Sequence, residues 1–169
     1  EIIIEVNEYF PHQTNRNRCH ILGPNGMQRL TVPIKQNHVK TPTGNIEIID
    51  GKWKQQHWRS LTTAYNRSAL FEFYKDELES IIFDKHQLLI ELNTRILSFL
   101  LKAQKKTMAI NFTTSFQSSY ENDFRYISDE KSQNQISKII LPSYPQVFSG
   151  KTGFVSNLSA IDALFNGAL

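Results

Sequence analysis

Two alternating stretches on either side of Gly23-Pro24-Asn25-Gly26 constrain this chain more than any other feature. Residues 18–22 and 29–34 each place apolar side chains at alternate positions, the period of a half-buried strand. The four residues between them predict a hairpin turn, because Asn-Gly supplies the positive φ angles that such turns demand. Pro33 has no N–H for a ladder, so it ends the second strand or sets it at an edge. The hairpin is preceded by Asn15-Arg16-Asn17-Arg18. Read as an extended segment, this run puts Arg16 and Arg18 on one face and Asn15 and Asn17 on the other. Two guanidiniums side by side make a fork for phosphate or carboxylate.

Around this hairpin the period changes along the chain. Residues 2–6 read as a short buried strand, and the alternation over 45–49 predicts another. From Trp53 onward, Trp53, His57, Leu61, Ala64 and Tyr65 recur at helical steps, with Asp50 as the expected cap. Leu70 to Tyr74 with Leu78, Ile81 and Ile82 gives a second helix. Leu88, Leu89, Leu92, Ile96, Phe99 and Leu100 give a third. Residues 108–112 return to strand character. Residues 113–138, rich in Ser, Asn and Gln, predict a mobile loop. Asn157 or Ser159 is expected to cap a last short helix carrying Ile161, Leu164 and Phe165. The pattern is that of an α/β or α+β fold in one domain over residues 1–169. It has a mixed β-sheet from N-terminal strands and one later strand, three central helices and a short C-terminal helix. No internal repeat or linker divides the chain.

Composition narrows the function. The 169 residues include 19 Lys and Arg against 16 Asp and Glu, a formal charge of +3. That balance favours anionic small molecules and argues against nucleic acid, which calls for a concentrated basic stripe. The single cysteine, Cys19, allows no internal disulfide and fits a reducing, cytoplasmic setting. No apolar run reaches the length of a membrane span. The histidines show no ligand spacing with a carboxylate, so neither a metal nor a resident cofactor is expected. Cys19 and His20 are strand neighbours that face opposite ways, which argues against a thiol nucleophile with its own base.

His57 is the candidate general base or acid. It lies one helical turn after Trp53, so an indole and an imidazole share a face. The candidate binding residues are Arg16, Asn17, Arg18 and Trp53.

Four segments together resemble the WbqC-like protein family of bacteria. They are N-R-N-R-C-H-I-L-G-P-N-G with L-T-V-P-I-K at residues 15–35, and I-E-I-I-D-G-K-W-K-Q-Q-H-W at 46–58. The others are E-L-N-T-R-I-L at 91–97, and Y-P-Q-V-F-S-G-K-T-G-F-V-S-N-L-S-A-I-D-A-L-F-N at 144–166. The last resembles the Bacteroidetes branch. The family begins with a further strand and helix that carry a Tyr-Phe-Pro element. Here Tyr9-Phe10-Pro11 follows the first strand, so the resemblance implies a chain that starts after that segment. Family members occur in gene clusters for O-antigen and other surface polysaccharides, and aminoacyl (glycine) transfer has been suggested for some. The resemblance implies a transferase acting on a nucleotide-linked amino sugar. Arg16 and Arg18 would hold phosphate, Asn17 a sugar or nucleotide hydroxyl, and Trp53 a stacking wall, while His57 takes a proton from the attacking amine. The alternative is a non-catalytic binding or scaffold protein of a glycan assembly pathway. The apolar C-terminal helix fits packing on its own domain or on a second copy in a homo-oligomer.

Overall fold

The computed structural model describes residues 1–11, 15–35, 40–125 and 142–169. The fold is α/β, with parallel and antiparallel strand pairs in two small sheets. β2 (Arg18–Gly23) and β3 (Gly26–Thr31) form the expected hairpin, with Cys19 opposite Leu30 and Gly23 opposite Gly26. The turn departs from expectation in one detail. Asn25 keeps a negative φ, and the positive angle falls on Gly26 alone at +104°, a conformation that a residue with a Cβ resists. β3 therefore begins three residues earlier than the alternation predicts. β1 (Ile2–Ile4) pairs in parallel with β4 (Ile110–Phe112).

Residues 45–49 do not form the expected strand. A 3₁₀ turn occupies Thr43–Asn45, and only isolated bridges follow, Ile34 to Ile48 and Glu47 to Leu88. The turn sits tight against the N-terminal segment: Gly44 N donates to Val6 O at 2.8 Å. A Cβ on Gly44 would lie 3.0 Å from that of Val6, so the approach calls for glycine.

Three helices follow, α1 (Trp53–Tyr65), α2 (Phe71–Phe83) and α3 (Leu89–Ala103). Asp50 does not cap α1. Its carboxylate accepts from Gly51 N at 2.9 Å, and Lys52 holds the cap position without a side-chain bond. At the start of α3, Glu91 reaches back to the N–H groups of Gln87 and Leu88 at 2.8 and 3.0 Å. This satisfies donors that a helix start leaves unpaired. After the single turn α4 (Ser149–Thr152) comes α5 (Ala160–Phe165), capped by Ser159 as expected. Asn157 instead takes a positive φ of 58° just before it.

The core lies where the hairpin, the three helices and α5 meet. Ile21, Leu61, Tyr65, Leu78, Phe99 and Phe165 are among its buried members. Residues 113–125 are held by Glu5, whose carboxylate accepts from Thr113 Oγ1 at 2.8 Å and Tyr120 Oη at 3.0 Å. The rest of the expected mobile loop, from 126 to 138, lies outside the described residues.

Candidate functional site

The five residues singled out from sequence line one cavity of about 170 Å³. It opens between the start of β2 and helices α1 and α3, and reaches inward to α2 and α5. Arg18 enters from β2, His57 and Trp53 from α1, and Arg16 and Asn17 from the turn that leads into β2.

That turn changes the geometry of the arginine pair. Residues 15–17 are not extended, so the same-face argument does not hold for Arg16 and Arg18. The two differ in what surrounds them. Arg16 ion-pairs with Glu8, a buried carboxylate, and donates to Thr43 Oγ1 at 3.1 Å. Arg18 has no hydrogen bond or ion pair to any described side chain, and its Nε is buried without an acceptor. That one nitrogen has lost its hydration without a compensating partner, while the residue as a whole is half-buried. An anion entering the cavity would supply one.

His57 is fixed by one bond. Its Nε2 lies 3.2 Å from the Thr31 carbonyl. A carbonyl only accepts, so Nε2 carries the proton and the lone pair of the neutral ring is on Nδ1. Burial lowers the pKa of His57 below its ordinary value, and the bond to Thr31 opposes that only in part. The ring is therefore neutral at pH 7 and available as a base. Trp53 packs edge-on against it, with ring centroids 5.1 Å apart, and donates Nε1–H to Ile49 O at 3.1 Å. Asn17 is buried, and its amide donates to Val32 O at 3.0 Å, which ties the turn to the strand segment after β3.

Two residues enter the site that sequence patterns did not single out. Asn93 of α3 donates to Arg16 O at 2.8 Å and so holds the turn at the cavity mouth. Ser159, the α5 cap, lines the cavity beside Cys19. Burial pushes the Cys19 thiol up and outweighs the opposing bond to Ser159, so the thiolate is disfavoured. A larger groove of about 260 Å³ runs between α2 and α3. Its cations are already paired: Lys102 with Glu77 at 2.9 Å and Arg95 with Asp84 at 3.1 Å.

The segments that build this site belong to one recognisable family. The model of the WbqC-like protein family matches residues 1–140. The chain belongs to the WbqC-like family. The match takes in the hairpin and α1 to α3, hence every site residue except Ser159 and Ile161 of the C-terminal segment. The segment at 144–166, which carries the resemblance to the Bacteroidetes branch, lies beyond it. No curated protein and no solved structure matches the chain. Among the described residues of this WbqC-like chain, no helix is long and apolar enough to cross a membrane.

Proposed function

We propose that this WbqC-like protein is a transferase in bacterial O-antigen or surface-polysaccharide synthesis. It moves an acyl or aminoacyl group from an activated donor onto the amine of a nucleotide-linked amino sugar. The observation that carries this reading is the buried, unpartnered Nε of Arg18 in the same cavity as a neutral His57. Arg18 binds phosphate of the nucleotide sugar at the mouth. Arg16, held by Glu8, stands beside it, and Asn17 offers its amide oxygen to a sugar or nucleotide hydroxyl. Trp53 walls the pocket and orients His57.

The amine nitrogen bonds to the acyl carbon, and the bond from that carbon to its activating group breaks, the electron pair leaving with that group. The proton shed by the nitrogen passes to Nδ1 of His57.

The test is a thermal-shift screen of the full chain against nucleotide sugars, glycine, ATP and coenzyme A, run with Arg18→Ala. A ligand at about 100 times its Kd stabilises by about 2.7 kcal/mol. A nucleotide-sugar shift that Arg18→Ala removes, followed by turnover that His57→Ala abolishes, supports the transferase. Binding without turnover makes the protein a non-catalytic component of the pathway. Absence of any shift overturns both.

A further inference from the structure

The cavity has two unlike ends. At the mouth stand Arg18, Arg16 and His57. The floor is formed by Leu61 of α1, Leu78 and Ile82 of α2, Leu92 and Ile96 of α3, and Ile161 of α5. Leu61, Leu78 and Leu92 are core residues with at most 2% of their surface exposed. Neighbouring side chains of this kind ordinarily close on one another, because an unfilled volume in an aliphatic core is destabilising. These three are closed in just that way, and the open space lies beside the half-buried Val32 and Ile96 and reaches the mouth. Among the described residues, no Asp or Glu lines it.

Size limits the occupant. A cavity of about 150 Å³ lined by Leu, Ile and Phe holds benzene, six carbons. At about 170 Å³ this one is of the same size, well below the ~300 Å³ at which pockets begin to enclose drug-sized ligands. A nucleotide cannot be inside it. An aliphatic chain of about six carbons can, and aliphatic walls favour it over a polar group.

We infer that the floor of this cavity is a recognition pocket for a short aliphatic acyl group, with the acyl oxygen at Arg18 and the acyl carbon beside His57. This rests on the transferase reading and deepens it by naming the class of group transferred: an aliphatic acyl chain of about four to seven carbons, not glycine. A glycyl group has no side chain to fill the floor. The buried Nε of Arg18 serves an acyl oxygen inside, and a terminal nitrogen serves a phosphate oxygen outside.

Straight-chain carboxylates from acetate to decanoate are the probes, titrated into the full chain by calorimetry, with hexanamide as the uncharged control and glycine as the polar one. Affinity is expected to rise about fourfold per methylene, to peak near hexanoate and to fall for octanoate and decanoate. Hexanamide and the Arg18→Met variant are each expected to lose about tenfold or more relative to hexanoate on the wild type. A flat series, a maximum at acetate, or glycine binding as well as hexanoate overturns the acyl pocket. The wild-type series needs no variant, so a misfolded substitution cannot obscure it. The two readings also fail separately. Nucleotide-sugar binding that depends on Arg18, with no response to carboxylates, removes the acyl pocket and leaves the transferase. Carboxylate binding peaking near six carbons, with no response to nucleotide sugars, keeps the pocket and removes the sugar substrate.

Discussion

The polar cluster around Asp162 and the polar groups of the cavity are built in opposite ways. Around Asp162, 1% exposed, the hydrogen bonds are closed. Its Oδ1 accepts from Tyr65 Oη at 2.8 Å, and its Oδ2 from Tyr144 Oη at 2.8 Å and Gln146 Nε2 at 3.0 Å. Gln146 in turn holds both backbone groups of Val155, at 2.8 and 2.9 Å. No cation pairs with Asp162 among the described residues; hydroxyl and amide donors take that place. In the cavity, by contrast, Arg18 has no acceptor and His57 has an unused Nδ1. A closed network fixes structure, here the docking of residues 144–165 onto the core. An open one has capacity left for a ligand. The difference separates a polar group that holds the fold from one that serves the site.

The largest effect expected from testing this contrast is on the closed side. Asp162→Leu removes the acceptor for two buried donors and the half-buried Tyr144, and should cost about 3–5 kcal/mol, read from urea denaturation midpoints. Ser159 and Ile161 line the cavity, so ligand binding should fall with it. A cost under about 1 kcal/mol would place Asp162 among ordinary surface acids.

On the open side the effects should fall on function. His57→Gln should reduce turnover by about 100-fold or more while leaving the urea midpoint nearly unchanged. Arg18→Met should weaken anion binding by about 10- to 100-fold, the worth of a charged hydrogen bond. Its stability should hold or rise, because an unpartnered buried nitrogen is removed. A drop in stability like that of Asp162→Leu would show that Arg18 is a structural residue.

Smaller effects sharpen the comparison. Tyr144→Phe deletes one of the three donors to Asp162 and should cost about 1 kcal/mol. Burial and the bond to Asp162 push the Tyr144 hydroxyl up to about 12, so it stays protonated and donating through neutral pH. The pH profile gives the finest test. His57 has a lowered pKa in the folded chain, so between that value and about 6.5 the unfolded chain binds more protons. Its contribution is full above about 6.5 and is lost as pH falls towards the folded value. Stability measured down through that window should show a slope that His57→Gln reduces.

Much of the fold was legible because its signals are local. Gly26, the alternation in β2 and the helical spacing of Trp53, Leu61, Ala64 and Tyr65 each depend on neighbours a few residues away. Residues 45–49 misled because alternation shows a face and not a partner. They receive only scattered bonds, such as Ile49 N to Pro33 O at 2.9 Å. Arg16, Asn17, Arg18, Trp53 and His57 stood out by chemical type. What differs between Arg16 and Arg18 was not readable, since Glu8 and Thr43 reach Arg16 from other parts of the chain. Asn93 was missed for the same reason: its bond to Arg16 spans 77 residues. Asp162 drew no notice in the sequence, and only its bonds to Tyr65 and Tyr144 reveal its part in the core.

Arg18 is the cation of the site, and its Nε–H proton, buried without an acceptor, reports directly on an arriving anion. The measurement is the side-chain ¹⁵N–¹H signal of Arg18, assigned by its loss in Arg18→Met and followed while hexanoate, and separately a nucleotide sugar, is added to the full chain. A saturable shift of this signal is expected, with a smaller movement or none at Arg95, which Asp84 already holds. An Arg18 signal that stays at its free position up to millimolar ligand would contradict it, and the cavity would then be a packing feature of the fold.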